Sequence, residues 1–216
     1  MRSSAGSDAP RPPHPEDVAR RRAAAVAGHR GDVAEARRLL TDPAPAVRAT
    51  ALGALARAGS LGEADVEDGL TDASPVVRTR AAELAAAAPG GHPPALVPVL
   101  ADPDPGVVEA AAWASGERRP PEPGIVQALA GVATGHDDPI CREAAVAALG
   151  AIGDPTGLAA VLAATADRPA IRRRAVLALA PFDGPDVDAA LQRALTDRDW
   201  QVRQAAEDLT GVRGRH

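Results

Sequence analysis

Residues 41–55 read TDPAPAVRATALGAL, and the same order of residue types returns five more times. It recurs as TDASPVVRTRAAELA (71–85), ADPDPGVVEAAAWAS (101–115) and HDDPICREAAVAALG (136–150). The last two copies are ADRPAIRRRAVLALA (166–180) and TDRDWQVRQAAEDLT (196–210). Each begins with an Asp-containing turn, often with Pro, followed by an apolar residue, an arginine, and an alanine three residues on. The arginine place is held by Arg48, Arg78, Glu109 (a departure), Arg142, Arg172 and Arg203, at spacings of 30, 31, 33, 30 and 31 residues. The alanine place is held by Ala51, Ala81, Ala112, Ala145, Ala175 and Ala206. An earlier partial copy, 18–32, aligns with 140–154 without gaps and matches Arg20 to Arg142, Gly28 to Gly150 and Gly31 to Gly153. A fixed period of about 31 residues is the mark of a repeat array.

Such a period holds two short helices and two turns. The spacing predicts a first helix over 33–40 and a second over 46–58, where Val47, Ala51, Leu52 and Leu55 form one apolar stripe. The recurring alanine fits a close approach of helices, where a larger side chain would force them apart. Gly31-Asp32 and Gly153-Asp154 give helix stops. Asp or Thr-Asp before the second helix offers an N-cap, with Pro in the first turn. One helix pair cannot bury both of its faces, so neighbours must stack, and the predicted fold is an all-α solenoid capped by the N-terminal half-repeat and the last repeat. The Asp-Pro…Val-Arg…Ala…Ala-Leu…Gly runs resemble HEAT repeats, specifically the short PBS-lyase HEAT-like type. The resemblance covers about 17–210. It implies a right-handed superhelix of about six helix pairs plus the half-repeat. Residues 1–16, with Pro10, Pro12, Pro13 and Pro15, are expected to be a disordered tail, and 211–216 a short C-terminal one.

Composition agrees with an all-α chain. Of 216 residues 52 are Ala, with one Phe, two Trp and no Tyr, which argues against an all-β domain. Every Lys/Arg position is Arg, and Asn is absent. One cysteine excludes a disulfide framework and Cys-rich zinc motifs. No apolar run reaches the length of a membrane span, and the first 16 residues lack the apolar centre of a secretory signal, so a cytoplasmic protein without a membrane partner is expected. The net charge is −5. Residues 1–60 carry ten Arg against six acids, 61–140 four against thirteen, and 141–216 ten against ten. The acidic middle argues against a continuous phosphate-binding surface, and no nucleic-acid partner is expected.

The arginines of the repeat and the aspartates Asp42, Asp72, Asp102, Asp167 and Asp197 travel together, so pairing within or between repeats is expected rather than an anion-binding stripe. Candidate partner-binding residues are those the repeat code leaves over. Arg21, Arg22, Arg80, Arg173 and Arg174 lie on second helices beside the ladder and suit an acidic protein segment or a phosphate. The third copy departs most, with Val108-Glu109 in place of Val-Arg, Trp113 at a core position, and a Pro-rich run over 117–124 expected to protrude. Trp113 reads either as filling the volume left by Gly116 or, with Glu109 and Arg118, as an interaction surface. Trp200 reads as a lid on the last core layer or as a partner anchor. Cys141 takes the apolar place before Arg142 and is expected to be a buried small hydrophobe rather than a nucleophile. His136-Asp137-Asp138 is expected to be a turn and helix cap rather than a cation site.

No catalytic, cofactor-binding or metal-ligating residue is proposed from the sequence. The HEAT-repeat deoxyhypusine hydroxylases carry His-Glu pairs, and this chain has no His-Glu dipeptide. The HEAT-like alkylpurine glycosylases use a basic, aromatic-lined face, and phycobilin lyases need an aromatic bilin pocket, for which one Phe and two Trp are few. The reading is therefore a non-catalytic protein–protein interaction scaffold or adaptor that holds a partner along its concave second-helix face. The alternative is an accessory or lyase-type subunit assisting modification of a bound protein, with a nucleic-acid-binding HEAT protein the lesser one.

Overall fold

The computed structural model of the protein describes residues 14–87 and 94–213. The chain forms two compact units, Met1–Ser60 and Leu61–His216. Within the first, α1 (Pro15–Arg30) is followed by α2 (Val33–Arg38), a 3-10 turn (Leu39–Thr41) and α3 (Pro45–Arg57). The second contains α4 (Glu63–Leu70), α5 (Pro75–Ala85), a 3-10 turn (Pro98–Ala101) and α6 (Pro105–Glu117). It continues with α7 (Ile125–Gly135), α8 (Pro139–Ile152), a 3-10 turn (Pro155–Gly157), α9 (Leu158–Ala164), α10 (Pro169–Ala178), α11 (Pro185–Ala194) and α12 (Trp200–Arg213). No strand occurs among the described residues. The all-helical pairing is that of an α-solenoid. Most of the N-terminal segment read as a tail, Met1–Pro13, lies outside the described residues, as do His92 and His216; α1 begins inside that segment, at Pro15.

Five second helices, α3, α5, α6, α8 and α10, begin at a proline, whose missing N–H costs nothing at a helix start. Gly31 and Gly153 end α1 and α8 with φ of 69° and 70°, a conformation that an L side chain resists. Asp32 then caps α2 by accepting from the Glu35 amide. Asp also caps α6 and α8, where Asp104 and Asp138 accept from the Gly106 and Ile140 amides. The Thr-Asp pairs at 41–42 and 71–72 do not cap, since Ala44 and Ser74 stand at those N-cap positions, which corrects that half of the expectation. Asp42, Asp72, Asp102 and Asp197 each accept from the amide two residues on, shaping the turn before the helix.

The arginine ladder ties one repeat to the next. Arg78 Nε and Nη2 donate to both carboxylate oxygens of Asp102 at 2.7 and 2.9 Å, while Nη1 donates to the carbonyls of Asp72 and Ala73 in its own turn. Arg142 grips Asp167 (2.8 and 3.1 Å) and Arg172 grips Asp197 (2.9 and 2.7 Å) in the same way. In the first unit Arg20 Nε donates to Asp42 at 2.8 Å. Forked arginine donors suit this double duty to carboxylate and carbonyl.

At the third copy the register differs from the sequence reading. Pro105 aligns with Pro75 and Pro139 as first helical residue, so Val108, not Glu109, stands in the arginine place. Val108 is fully buried. The aspartate place of the next turn is correspondingly held by His136, whose Nδ1 accepts from the Asp138 amide at 3.0 Å as an aspartate oxygen would. Both partners of this rung are replaced together, so neither charge is left in the core.

Second helices meet at glycine–alanine crossings. A Cβ on Gly28 would lie 2.7 Å from Ala54 Cα, and one on Gly116 3.0 Å from Ala148 Cα. One on Gly150 would lie 2.6 Å from Ala178 Cα. These glycines fall eight residues after Arg20, Val108 and Arg142, which fixes the corrected register independently. The alanines at 51, 81, 145, 175 and 206 are all fully buried. Leu96, Ile125, Leu129, Leu149, Ile171 and Leu179 supply the bulk of the second unit's core, each contributing about 1.5–3 kcal/mol relative to exposure.

Candidate functional site

The register sets which side chains of the second helices face solvent. On α6 the positions one, five and nine residues after Val108 are Glu109, Trp113 and Glu117, a stripe at i, i+4, i+8. All three are exposed, and Trp113 keeps 52% of its surface accessible. They line a groove of about 600 Å³ built on α5, α6, α8 and α10 of the second unit. Its floor is small: Ala110, Ala144, Ala147, Ala148 and Gly116 leave the helix backbones near the surface. Ile140, 55% exposed, adds an apolar edge at the start of α8.

Charge in the groove is one-sided. Glu83, Glu109, Glu117 and Glu143 face Arg174 alone. Arg174 Nε lies 3.5 Å from Glu143, and Glu83 accepts from Arg80, outside the lining, at 2.8 Å. Both pairs are more than one-third exposed on at least one side and hold little energy. Among the described residues Glu109 and Glu117 make no ion pair. Chemically, the groove can stack a flat or cationic group on an indole between two carboxylates. Among the described residues no three His, Cys, Asp or Glu side chains cluster as a metal site, and no helix is long and apolar enough to cross a membrane. The Cys141 thiol is fully buried, with its pKa pushed up to about 11 by burial and by the charges of Asp138 and Glu109, the reverse of an activated nucleophile.

A family model of HEAT repeats matches residues 93–168 and 126–209, together more than half of the chain. The chain belongs to the HEAT repeat family. No curated protein matches it. Among solved structures, this HEAT repeat protein is similar to Escherichia coli YibA, with 17% identity, 95% of this chain and 77% of that one covered, and a TM-score of 0.62. A designed armadillo repeat protein in complex with the peptide (KR)4 matches at 17% identity over 82% and 97% of the two chains, TM-score 0.59. Human deoxyhypusine hydroxylase in complex with glycerol matches at 20% identity over 92% and 80%, TM-score 0.50. At such identities the likeness is one of fold.

The candidates from the sequence separate into four places. Glu109, Trp113 and Arg174 come together in the groove, with Arg80 beside it through Glu83. Arg173 and Trp200 line a smaller depression of about 120 Å³ with Leu177 and Gln204. Trp200 is 64% exposed, so it does not close the last core layer. Arg21 and Arg22 are exposed on α1 of the first unit, Arg21 donating to Thr50 at 3.3 Å. Arg118 is the exception. It is 6% exposed and donates twice to the Ala85 carbonyl, so it cannot face a partner, which corrects its candidacy. Burial pulls its guanidinium below the ordinary arginine range, with the Glu122 carboxylate opposing at 3.6 Å.

Two further expectations change. Trp113 does not fill a void at Gly116; the space beside Gly116 belongs to Ala148. The Pro-rich run does not protrude freely. Arg119 bonds the carbonyls of Gly116 and Ala151, and Glu122 accepts from the amides of Leu96 and Val97. Sequence reasoning missed Glu83, Glu117 and Glu143. Their signal is positional: counted from the corrected arginine place, each falls on the exposed face of its own helix.

Proposed function

We propose that this protein is a non-catalytic interaction scaffold whose second-helix face holds a segment of a partner protein, with 17–210 as its repeat domain. The observation that carries the reading is Trp113, a large indole left half-exposed in a small-residue groove between rigid helices. Exposed aromatic anchors of this kind dominate protein interfaces. An alanine floor lets an extended chain come close to the helices. The designed armadillo neighbour, similar in fold, is in complex with a peptide, which supports a solenoid of this size as a holder of chain segments.

The test is affinity purification of the tagged protein from its native lysate beside an Ala147→Trp variant that fills the groove. A stoichiometric protein retained by the parent and lost from the folded variant supports the reading. A partner held equally by both, or a small molecule retained in place of any protein, contradicts it.

A further inference from the structure

We propose that the occupant of the groove is an extended basic segment, one that places an arginine or lysine over Trp113 between Glu109 and Glu117. The inference rests on the groove being a protein-binding surface and adds the chemistry of what it binds. Glu109, Trp113 and Glu117 are one helical turn apart on a single face, about 6 Å between successive residues along the axis. A cation stacked on the indole therefore lies within reach of a carboxylate on either side. The two outer glutamates, Glu83 and Glu143, are held by Arg80 and Arg174, whereas the two flanking the indole have no cation among the described residues. An acidic segment would meet four carboxylates against one lining arginine, and repulsion would exclude it. A purely apolar helix would leave those carboxylates desolvated and unpaired. The expectation that the leftover arginines suit an acidic segment or a phosphate does not favour either in this groove, where Arg80 and Arg174 each pair with a glutamate and the lining carboxylates outnumber the one lining arginine.

The experiment uses the full chain and a fluorescein-labelled octapeptide of alternating Lys and Arg, with Gly-Ser and Glu-Asp octapeptides as comparators, read by anisotropy. Binding of the basic peptide alone is expected. Trp113→Ala should weaken it about fivefold, and Glu109→Gln with Glu117→Gln about tenfold at low salt, the difference shrinking at about 0.5 M salt. Glu67→Gln with Glu207→Gln removes the same charge outside the groove and should leave affinity unchanged, which separates a site from bulk attraction. Circular dichroism checks that every variant folds. Equal loss from both glutamate pairs overturns the proposal. Preferential binding of the acidic or neutral peptide, sensitive to Trp113→Ala, overturns the basic-segment claim while keeping the scaffold reading. Self-association abolished by Trp113→Ala would make the occupant a second copy and overturn it as well. If no peptide binds and Ala147→Trp leaves a co-purified protein in place, the scaffold reading falls with it.

Discussion

Arg78 and Asp102, 24 residues apart, are joined by two hydrogen bonds of 2.7 and 2.9 Å, and the arginine's remaining nitrogen holds the carbonyls of its own turn. This contact orients one repeat against the next. Where the chain gives it up, at Val108, it gives up the aspartate too and substitutes His136.

The rung should therefore behave as a unit. Arg78→Val or Asp102→His alone strands a half-buried charge and is expected to cost about 1–3 kcal/mol. The double variant imitates Val108 and His136 and should cost less than the sum, with a coupling of about 1 kcal/mol or more by urea unfolding. Additivity within about 0.3 kcal/mol would show that the pair does not act together.

Acid should weaken the ladder in a defined direction. The hydrogen bonds from Arg142 and Arg172 hold the Asp167 and Asp197 carboxyls below the ordinary aspartate range in the folded protein. A depressed folded pKa gives stability that is full above the unfolded value of about 3.9 and is lost as pH falls through the folded one. Stability is thus flat with respect to these groups near neutrality and declines below about pH 4. Asp197→Asn should be less stable at pH 7 and show a shallower acid decline, measured by urea unfolding from pH 7 down to about pH 2.

The glycine crossings separate packing from propensity. Gly150→Ala drives a methyl into the Ala178 backbone and should destabilise by about 1–3 kcal/mol. Gly131→Ala on α7, with open space around its Cβ position, should stabilise by about 0.5–1 kcal/mol. Thermal denaturation of the two variants side by side reads the contrast.

Cys141 should be silent in the native protein. With its thiol buried and its pKa near 11, a disulfide reagent at pH 8 should react only after denaturant is added. Rapid reaction of the folded protein would mean that the α8 start opens readily.

The helix pairs and half-repeat were legible because periodicity, proline at helix starts and glycine at helix stops act locally. The register of the third copy was not. Glu109 is the only charged residue beside Val108, so an alignment on charge slips by one residue and carries Trp113 from the exposed face into the core. Burial of Val108 and the crossing at Gly116 restore it, and both are tertiary facts. Arg118 was misread for a related reason. An arginine in a Pro-rich run looks solvated, and its acceptor, the Ala85 carbonyl, lies 33 residues away. The groove's glutamates come from three helices and form a site only once those helices lie side by side.

The most direct test of the groove places a photo-crosslinking residue at Ile140, on its exposed apolar edge, and another at Gln127, exposed on α7 outside it, in cells. A single protein adduct is expected from position 140, mapping to an Arg- or Lys-rich segment, and none from 127. Equal adducts from both positions, or an adduct from 140 mapping to an acidic segment, would overturn the basic-segment reading.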